Sequence, residues 1–408
     1  PSGSLPQIMK STSTGRSMPD KNHAARAHRR RRLSVILAWL IAFILIFFLA
    51  VLGAASWYFS SQLLDVRPDR PSYDLKVLAL DRTKIELPRT GSTQRPGVYG
   101  VDWPGGRVTL GSIVSMTSRT VVRHYSGSSR GLRPGDSVDF DVAVYGTPAG
   151  IPAKYRTVYV PDAIGPMPAW FIPGRRRTWA ILVHGYKSSR TDPLRAVSAL
   201  TALGLPVLDL SYRNDAGAPS IPDHLYHLGA SEWQDVEAGV RFALAHGARS
   251  VVLYGYSMGG GIVESFLYQS RYRGRVRAVV LDAPALDWGA TIDLAASQRG
   301  LPSFLAAATE RVVAWRLGMW DLGPIDAVSR SALLRTPTLL FHGRDDQLVP
   351  IGPSIALARN RPDLVTFVPV PGAGHTESWN VGPARYESRV DAFLSRVLKT
   401  PPSASATR

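Results

Sequence analysis

Residues 253–261 read Leu253-Tyr254-Gly255-Tyr256-Ser257-Met258-Gly259-Gly260-Gly261, and the middle five have the form G-x-S-x-G. Alone the pentapeptide is weak, because 36 of the 408 residues are glycine and serine is about as common. Its flanks carry the weight. Val251–Tyr254 is a short apolar run rich in valine, and GGIVESFLYQS from Gly260 onward reads as a helix. The pentapeptide therefore falls on a sharp turn from strand to helix, the context in which such a serine is held out as a nucleophile. Side chains at positions 255 and 259 would collide where the two backbones converge, which gives both glycines a steric reason.

A serine hydroxyl is a poor nucleophile at neutral pH and needs a base, which in turn needs an orienting carboxylate. Both follow in the chain, each on a loop after a predicted strand. Thr338–Phe341 runs into His342-Gly343-Arg344-Asp345-Asp346-Gln347-Leu348-Val349-Pro350, and Val365–Val370 runs into Pro371-Gly372-Ala373-Gly374-His375. Loops at the carboxyl ends of strands are where sites gather in open α/β sheets. Catalytic roles are expected for Ser257, Asp346 and His375. Asp345 and Asp346 are neighbours, and only one can face the histidine.

An oxyanion needs backbone donors. The N–H of Met258, next to the nucleophile, is one. The other is expected from Tyr186, because Trp179–Val183 leads into His184-Gly185-Tyr186. Each such donor is typically worth about 3–4 kcal/mol to a transition state. His184 and His342 are expected to brace loops rather than carry protons. His224 and His227, in PDHLYHLG, are expected near the cleft rim. Trp288, Trp315 and Trp320 could line a pocket or pack an insertion onto the domain.

Four separate motifs in order, His184-Gly185, Gly255–Gly259, HGRDDQLVP and Gly374-His375, resemble the α/β-hydrolase superfamily over roughly residues 178–398. The resemblance implies an esterase, lipase, thioesterase or prolyl-oligopeptidase-like peptidase. It also places the acid three residues before the valine of the Val-Pro pair, at Asp346. Within that set the chain looks like membrane-anchored bacterial hydrolases, whose sequences are similar at SYRNDAGAP (211–219).

Composition agrees and excludes. The chain holds no cysteine, which removes disulfides, thiolate sites and cysteine nucleophiles. Its nine histidines show no H-E-x-x-H spacing. No metal or other cofactor is expected. Of the net charge of +17, +7 sits in residues 1–32, where eight bases face one acid and Arg29–Arg32 form a run, and the rest is spread thinly. Directly behind that run, Leu33–Ala55 is 23 uncharged residues. At 1.5 Å per residue they reach about 34 Å, enough for a hydrocarbon core of roughly 30 Å. Trp57, Tyr58 and Phe59 follow, as in an interfacial aromatic belt. The arginines thus read as a topology signal rather than a nucleic-acid patch, with the N-terminus cytoplasmic and the rest outside. A cleaved signal peptide is the alternative to an uncleaved anchor, given Gly53-Ala54-Ala55.

The predicted organisation is a disordered basic cytoplasmic tail at 1–32, a transmembrane helix at 33–59 and a β-rich extracytoplasmic region at 60–175. An α/β-hydrolase domain follows at 176–400, with a mostly parallel sheet and a helical cap at about 288–322. In the β-rich region Val138-Asp139-Phe140-Asp141-Val142 alternates apolar and acidic residues, the pattern of a half-buried strand. Its texture fits either a small β domain or an extension of the main sheet. The expected enzyme is a serine hydrolase of carboxylic esters, acting on a small-molecule or lipid acyl substrate, with the membrane and no nucleic acid as partner. A peptidase or acyltransferase of the same fold, or a catalytically silent scaffold, is the alternative. The roughly 115 residues at 60–175 are too few for the propeller that accompanies prolyl-oligopeptidase-like peptidases.

Overall fold

The computed structural model describes residue 3, residues 21–66 and residues 72–399. The chain divides into two units, residues 1–55 and residues 56–408. Helix α1 (Lys21–Leu64) carries the first unit, and its last turns open the second. From His28 to Leu64 it is long and apolar enough to cross a membrane, by length and composition. It begins at Lys21, so the Arg29–Arg32 run is helical, where a disordered tail through residue 32 was expected. KNHAARAHRRRR contains neither Gly nor Pro, and propagating an existing helix through Ala and Arg costs little. Residues 1–20 of that tail lie, apart from residue 3, outside the described residues.

The second unit holds two sheets. The smaller is antiparallel and has seven strands: β1 (Leu75–Lys76), β2 (Ala79–Leu80), β3 (Lys84–Pro88), β4 (Tyr99–Trp103), β5 (Gly106–Met116), β6 (Thr120–Ser126) and β7 (Ser137–Asp141). Their spatial order is β1-β7-β4-β5-β6-β3-β2. One face of alternating residues, among them Ile85, Leu87, Tyr99, Val101, Val108, Leu110, Val121 and Val138, forms its own apolar core.

The larger sheet has eight strands: β8 (Arg156–Val160), β9 (Met167–Ile172), β10 (Thr178–Val183), β11 (Val207–Leu210), β12 (Ser250–Tyr256), β13 (Val276–Asp282), β14 (Thr338–Gly343) and β15 (Val365–Val370). Their order is β15-β14-β13-β12-β10-β11-β9-β8. The pairings from β15 through to β11 are parallel, while β11–β9 and β9–β8 are antiparallel. The sheet is therefore mixed, and it starts at Arg156 rather than after residue 175. Both alternatives for the β-rich region are realised, a separate sheet through β7 and an extension of the main sheet by β8 and β9.

The central strands are apolar on both faces because helices cover both. Val251 and Leu253 join one core with α3 (Trp233–Ala245) and α4 (Met258–Gln269). Val252 and Tyr254 join the other, with α2 (Leu194–Ala202) and α8 (Pro383–Lys399). Helix α8 buries Tyr386, Val390, Phe393 and Leu394, a single helical stripe. Burying an aliphatic or Phe side chain of this kind contributes roughly 1.5–3 kcal/mol. Helices α5 (Trp288–Gln298) and α6 (Ser303–Arg316) fill the predicted insertion between β13 and β14. Helix α7 (Gly352–Asn360), between β14 and β15, was not expected from the sequence.

The end of α1 is built into the second unit. Leu64 is buried in the main core, and Tyr226 N–H donates to the Leu64 carbonyl at 2.7 Å. Arg316 of α6 donates to the Ser60 and Ser61 hydroxyls and pairs with Asp65.

Candidate active site

Ser257 follows β12 and precedes α4, with φ 51° and ψ −122°. A non-glycine residue at positive φ is strained and persists only where its surroundings hold it. Here its N–H donates to the Asp282 carbonyl at 3.0 Å, and its own carbonyl accepts from Gly260 and Ala285. The flanking glycines permit the turn. A Cβ at Gly255 would lie 2.6 Å from the Gly259 carbonyl oxygen, and one at Gly259 would run into the Val183 and His184 carbonyls. Met258 begins α4, where helix geometry leaves the N–H with no acceptor inside the helix.

His375 and Asp346 come to the serine from the ends of β15 and β14. His375 Nε2 is 2.8 Å from Ser257 Oγ, and His375 Nδ1 is 2.8 Å from Asp346 Oδ2. Asp346 Oδ1 accepts from the N–H groups of Leu348 and Val349 at 2.8 and 2.9 Å, and His342 Nε2 approaches Oδ2 at 3.3 Å. Burial opposes the charge on Asp346. Hydrogen bonds from His342, His375 and Val349 more than offset it, and the carboxyl lies well below its ordinary range. Asp345 is exposed, its N–H donating to the Ala373 carbonyl. A second buried carboxylate, Asp282, is raised to about 6, chiefly by burial. It accepts from the Ser378 hydroxyl at 2.7 Å rather than from the imidazole.

The loop after β10 lies against the nucleophile: a Cβ at Gly185 would sit 3.0 Å from Ser257 Cβ. Its orientation is fixed from behind. Gly185 O accepts from the Tyr212 hydroxyl at 2.9 Å and meets His184 Nδ1 at 3.0 Å. His184 Nε2 reaches Asp215 at 2.8 Å, and Asp215 also accepts from Tyr212 N–H. Both ring nitrogens thus face acceptors; burial opposes a charge on His184, and Asp215 outweighs it, raising the imidazole. Burial holds the Tyr212 phenol protonated, hence a donor. In a trans peptide the N–H points opposite to the C=O. Two donors on Gly185 O therefore set the direction of the Tyr186 N–H.

Tyr212 and Asp215 belong to SYRNDAGAP, noted in the sequence only for similarity; their place behind the loop was not legible there. His342 likewise braces, with Nδ1 at 2.8 Å from Ser354 Oγ. His227 pairs with Asp223 and Ser231. Trp288 is buried and donates to the Leu228 carbonyl. Trp315 packs against Trp57, and Trp320 is 88% exposed. None of the three tryptophans lines the cavity described next.

A cavity of about 830 Å³ opens onto Ser257 and His375. Loop 185–189 lines it, as do residues between 102 and 147 from β4, β5 and β7 of the small sheet and from the loop after β7. That sheet is also bonded to the loop carrying His375. Arg95 pairs with Glu377, whose other carboxylate oxygen accepts from Gly374 N–H at 2.9 Å. Asn380 O accepts from Val98 N–H, and Asn380 Nδ2 donates to the Val98 and Val142 carbonyls. Buried Arg123 holds the 93–97 segment behind these contacts, donating to the carbonyls of Thr93, Arg95 and Gly97. The sequence contained no signal for Glu377 or Asn380, because their partners in the region of the small sheet lie 238–282 residues away.

Comparison with known proteins divides along the same lines. Residues 76–141 match a family described as a domain of unknown function, DUF8805. A monoacylglycerol lipase of Mycolicibacterium smegmatis is 28% identical over 227 residues, covering 48% of this chain and 80% of the lipase. The human protein ABHD12B is 27% identical over 202 residues, 47% of this chain, and the match spans only 52% of that relative. The esterase Pf2001 of Pyrococcus furiosus superposes with a TM-score of 0.51 at 22% identity, covering 62% of this chain and 94% of the esterase, a likeness of fold. The strand–turn–helix serine, the strand order and these relatives together make the chain a member of the α/β-hydrolase superfamily.

Proposed function

We propose that this α/β-hydrolase is a membrane-anchored serine hydrolase that cleaves carboxylic esters through an acyl-enzyme. The observation that carries the reading is the unbroken hydrogen-bonded line from Ser257 Oγ through His375 to Asp346. His375 takes the hydroxyl proton as Ser257 Oγ bonds to the acyl carbon. Asp346 holds the imidazole tautomer and stabilises the imidazolium. The N–H groups of Tyr186 and Met258 receive the oxyanion. His375 then gives its proton to the departing alcohol, and water, deprotonated by the same imidazole, releases the acid and restores the serine. Esters rather than peptides are supported by relatives named as a monoacylglycerol lipase and an esterase.

Its test is a panel of short-chain esters, thioesters and peptide anilides, with fluorophosphonate labelling alongside. Esters are expected to turn over fastest, and the label is expected on Ser257. A protein that resists the label and hydrolyses none of the panel is a scaffold.

The anchor reading is supported by the apolar span 33–55 in α1 and the Arg29–Arg32 run before it. Protease added outside intact cells is expected to digest the catalytic domain and to spare a tag ahead of α1. A domain protected until lysis would reverse the orientation.

A further inference from the structure

We propose that the small antiparallel sheet, the domain of unknown function, is the alcohol side of the active site, and that it selects esters of sugars or ring-sized polyols. The inference rests on the ester-hydrolase reading and adds the substrate class to it.

Direction comes from the chemistry of the leaving group. The departing alcohol takes its proton from His375, so it must lie on the histidine side of Ser257. The small sheet and its loops are bonded to that side, through Arg95–Glu377 and through Asn380 to Val98 and Val142. It also lines the same cavity as Ser257 and His375. At about 830 Å³ that cavity far exceeds what a methyl or ethyl alcohol would fill.

The lining states what would fill it. Asp102 on β4 is directly opposite Asp139 on β7, and Asp141 is two residues further along the same face. Like charges directly opposite across strands are destabilising. Arg107, opposite Asp102 on β5, bridges Asp102 and Asp141; among the described residues Asp139 pairs with no arginine, and its Oδ1 accepts from the Ser72 hydroxyl. A sheet shaped for stability alone would not gather three carboxylates around one guanidinium on a single face. Burial and the neighbouring Asp141 and Asp139 charges raise Asp102, which agrees with that crowding.

Lys187 lines the same cavity. A cationic headgroup would meet both signs there. Hydroxyl groups donate to carboxylates and accept from ammonium and guanidinium, so a polyol is served by every charged group in the lining. An apolar alcohol would strip water from the Asp139 carboxylate and the Lys187 ammonium without replacing it.

The test compares three butyrate esters on the whole chain in detergent: glucose 6-butyrate, cyclohexylmethyl butyrate and butyrylcholine. The first two share a six-membered ring and differ in hydroxyls. Glucose 6-butyrate is expected to exceed both others at least about tenfold in kcat/KM, the factor one charge-assisted hydrogen bond supplies. Asp139→Asn should narrow that margin through a higher KM for the glucose ester. It should also leave the melting temperature equal or higher, since it removes one of two facing carboxylates; a merely structural role for Asp139 would lower it. Equal turnover of the ring pair, or preference for the choline ester, overturns the polyol assignment while ester hydrolysis stands. No turnover of any ester overturns both.

Discussion

Ser257→Ala is expected to lower kcat on a short-chain activated ester by about 10⁶-fold, the loss seen when the nucleophile of a serine hydrolase is removed. The fold should survive. Alanine keeps the Cβ and so meets the same positive-φ turn, and the hydrogen bonds that hold the turn come from backbone at Asp282, Gly260 and Ala285. What disappears is the bond to His375 Nε2, with a net stability cost of about 1 kcal/mol. Kinetics and thermal melting on the same preparation separate the two effects. Undiminished turnover by a folded variant would falsify the assignment of the nucleophile. A residual rate above the uncatalysed one is compatible with it, because the donors at Tyr186 and Met258 would remain to receive the oxyanion.

The parts of this site that the sequence made legible are those in which local chemistry dictates local geometry. A strand, two glycines and a serine can be read as a tight turn because side chains at 255 and 259 have nowhere to go, and the contacts at Gly255 and Gly259 bear this out sterically. The loops with Asp346 and His375 could be placed because each follows an apolar run that ends in glycine or charge. Contacts made between distant segments left no such trace. Glu377 reads as one more loop acid until Arg95 and Gly374 are seen to share it. The strands β8 and β9 have the composition of the small sheet before them, and only their pairing with β11 assigns them to the larger one. The start of α1 was missed for another reason. A Ser-, Thr- and base-rich stretch without periodicity argued for disorder, whereas helix propagation from the apolar span into Ala- and Arg-rich sequence is inexpensive.

Among the variants that separate adjacent residues, Asp346→Asn is expected to cut turnover by about 10⁴-fold and Asp345→Asn by little, although the two carboxylates are neighbours. Asp346 Oδ2 lies 2.8 Å from His375 Nδ1, while Oδ1 is held by two backbone N–H groups, so the side chain has one orientation available. An amide in that position can turn its NH₂ toward Nδ1. The ring would then carry its proton on Nε2, facing Ser257, where it cannot act as base. Asp345 is exposed and makes none of these contacts. The pH profile adds a second check. The folded Asp346 carboxyl titrates below 3.8, so its charge is complete above about pH 4 and is lost only as the pH falls through that lowered value. Protonation of Asp346 should therefore contribute no acid limb to a rate profile between pH 5 and 8. Asp346→Asn should depress the whole profile, because the wrong tautomer is wrong at every pH. If Asp345→Asn carried the large loss instead, the acid would be misassigned, while Ser257 and His375 would keep their roles.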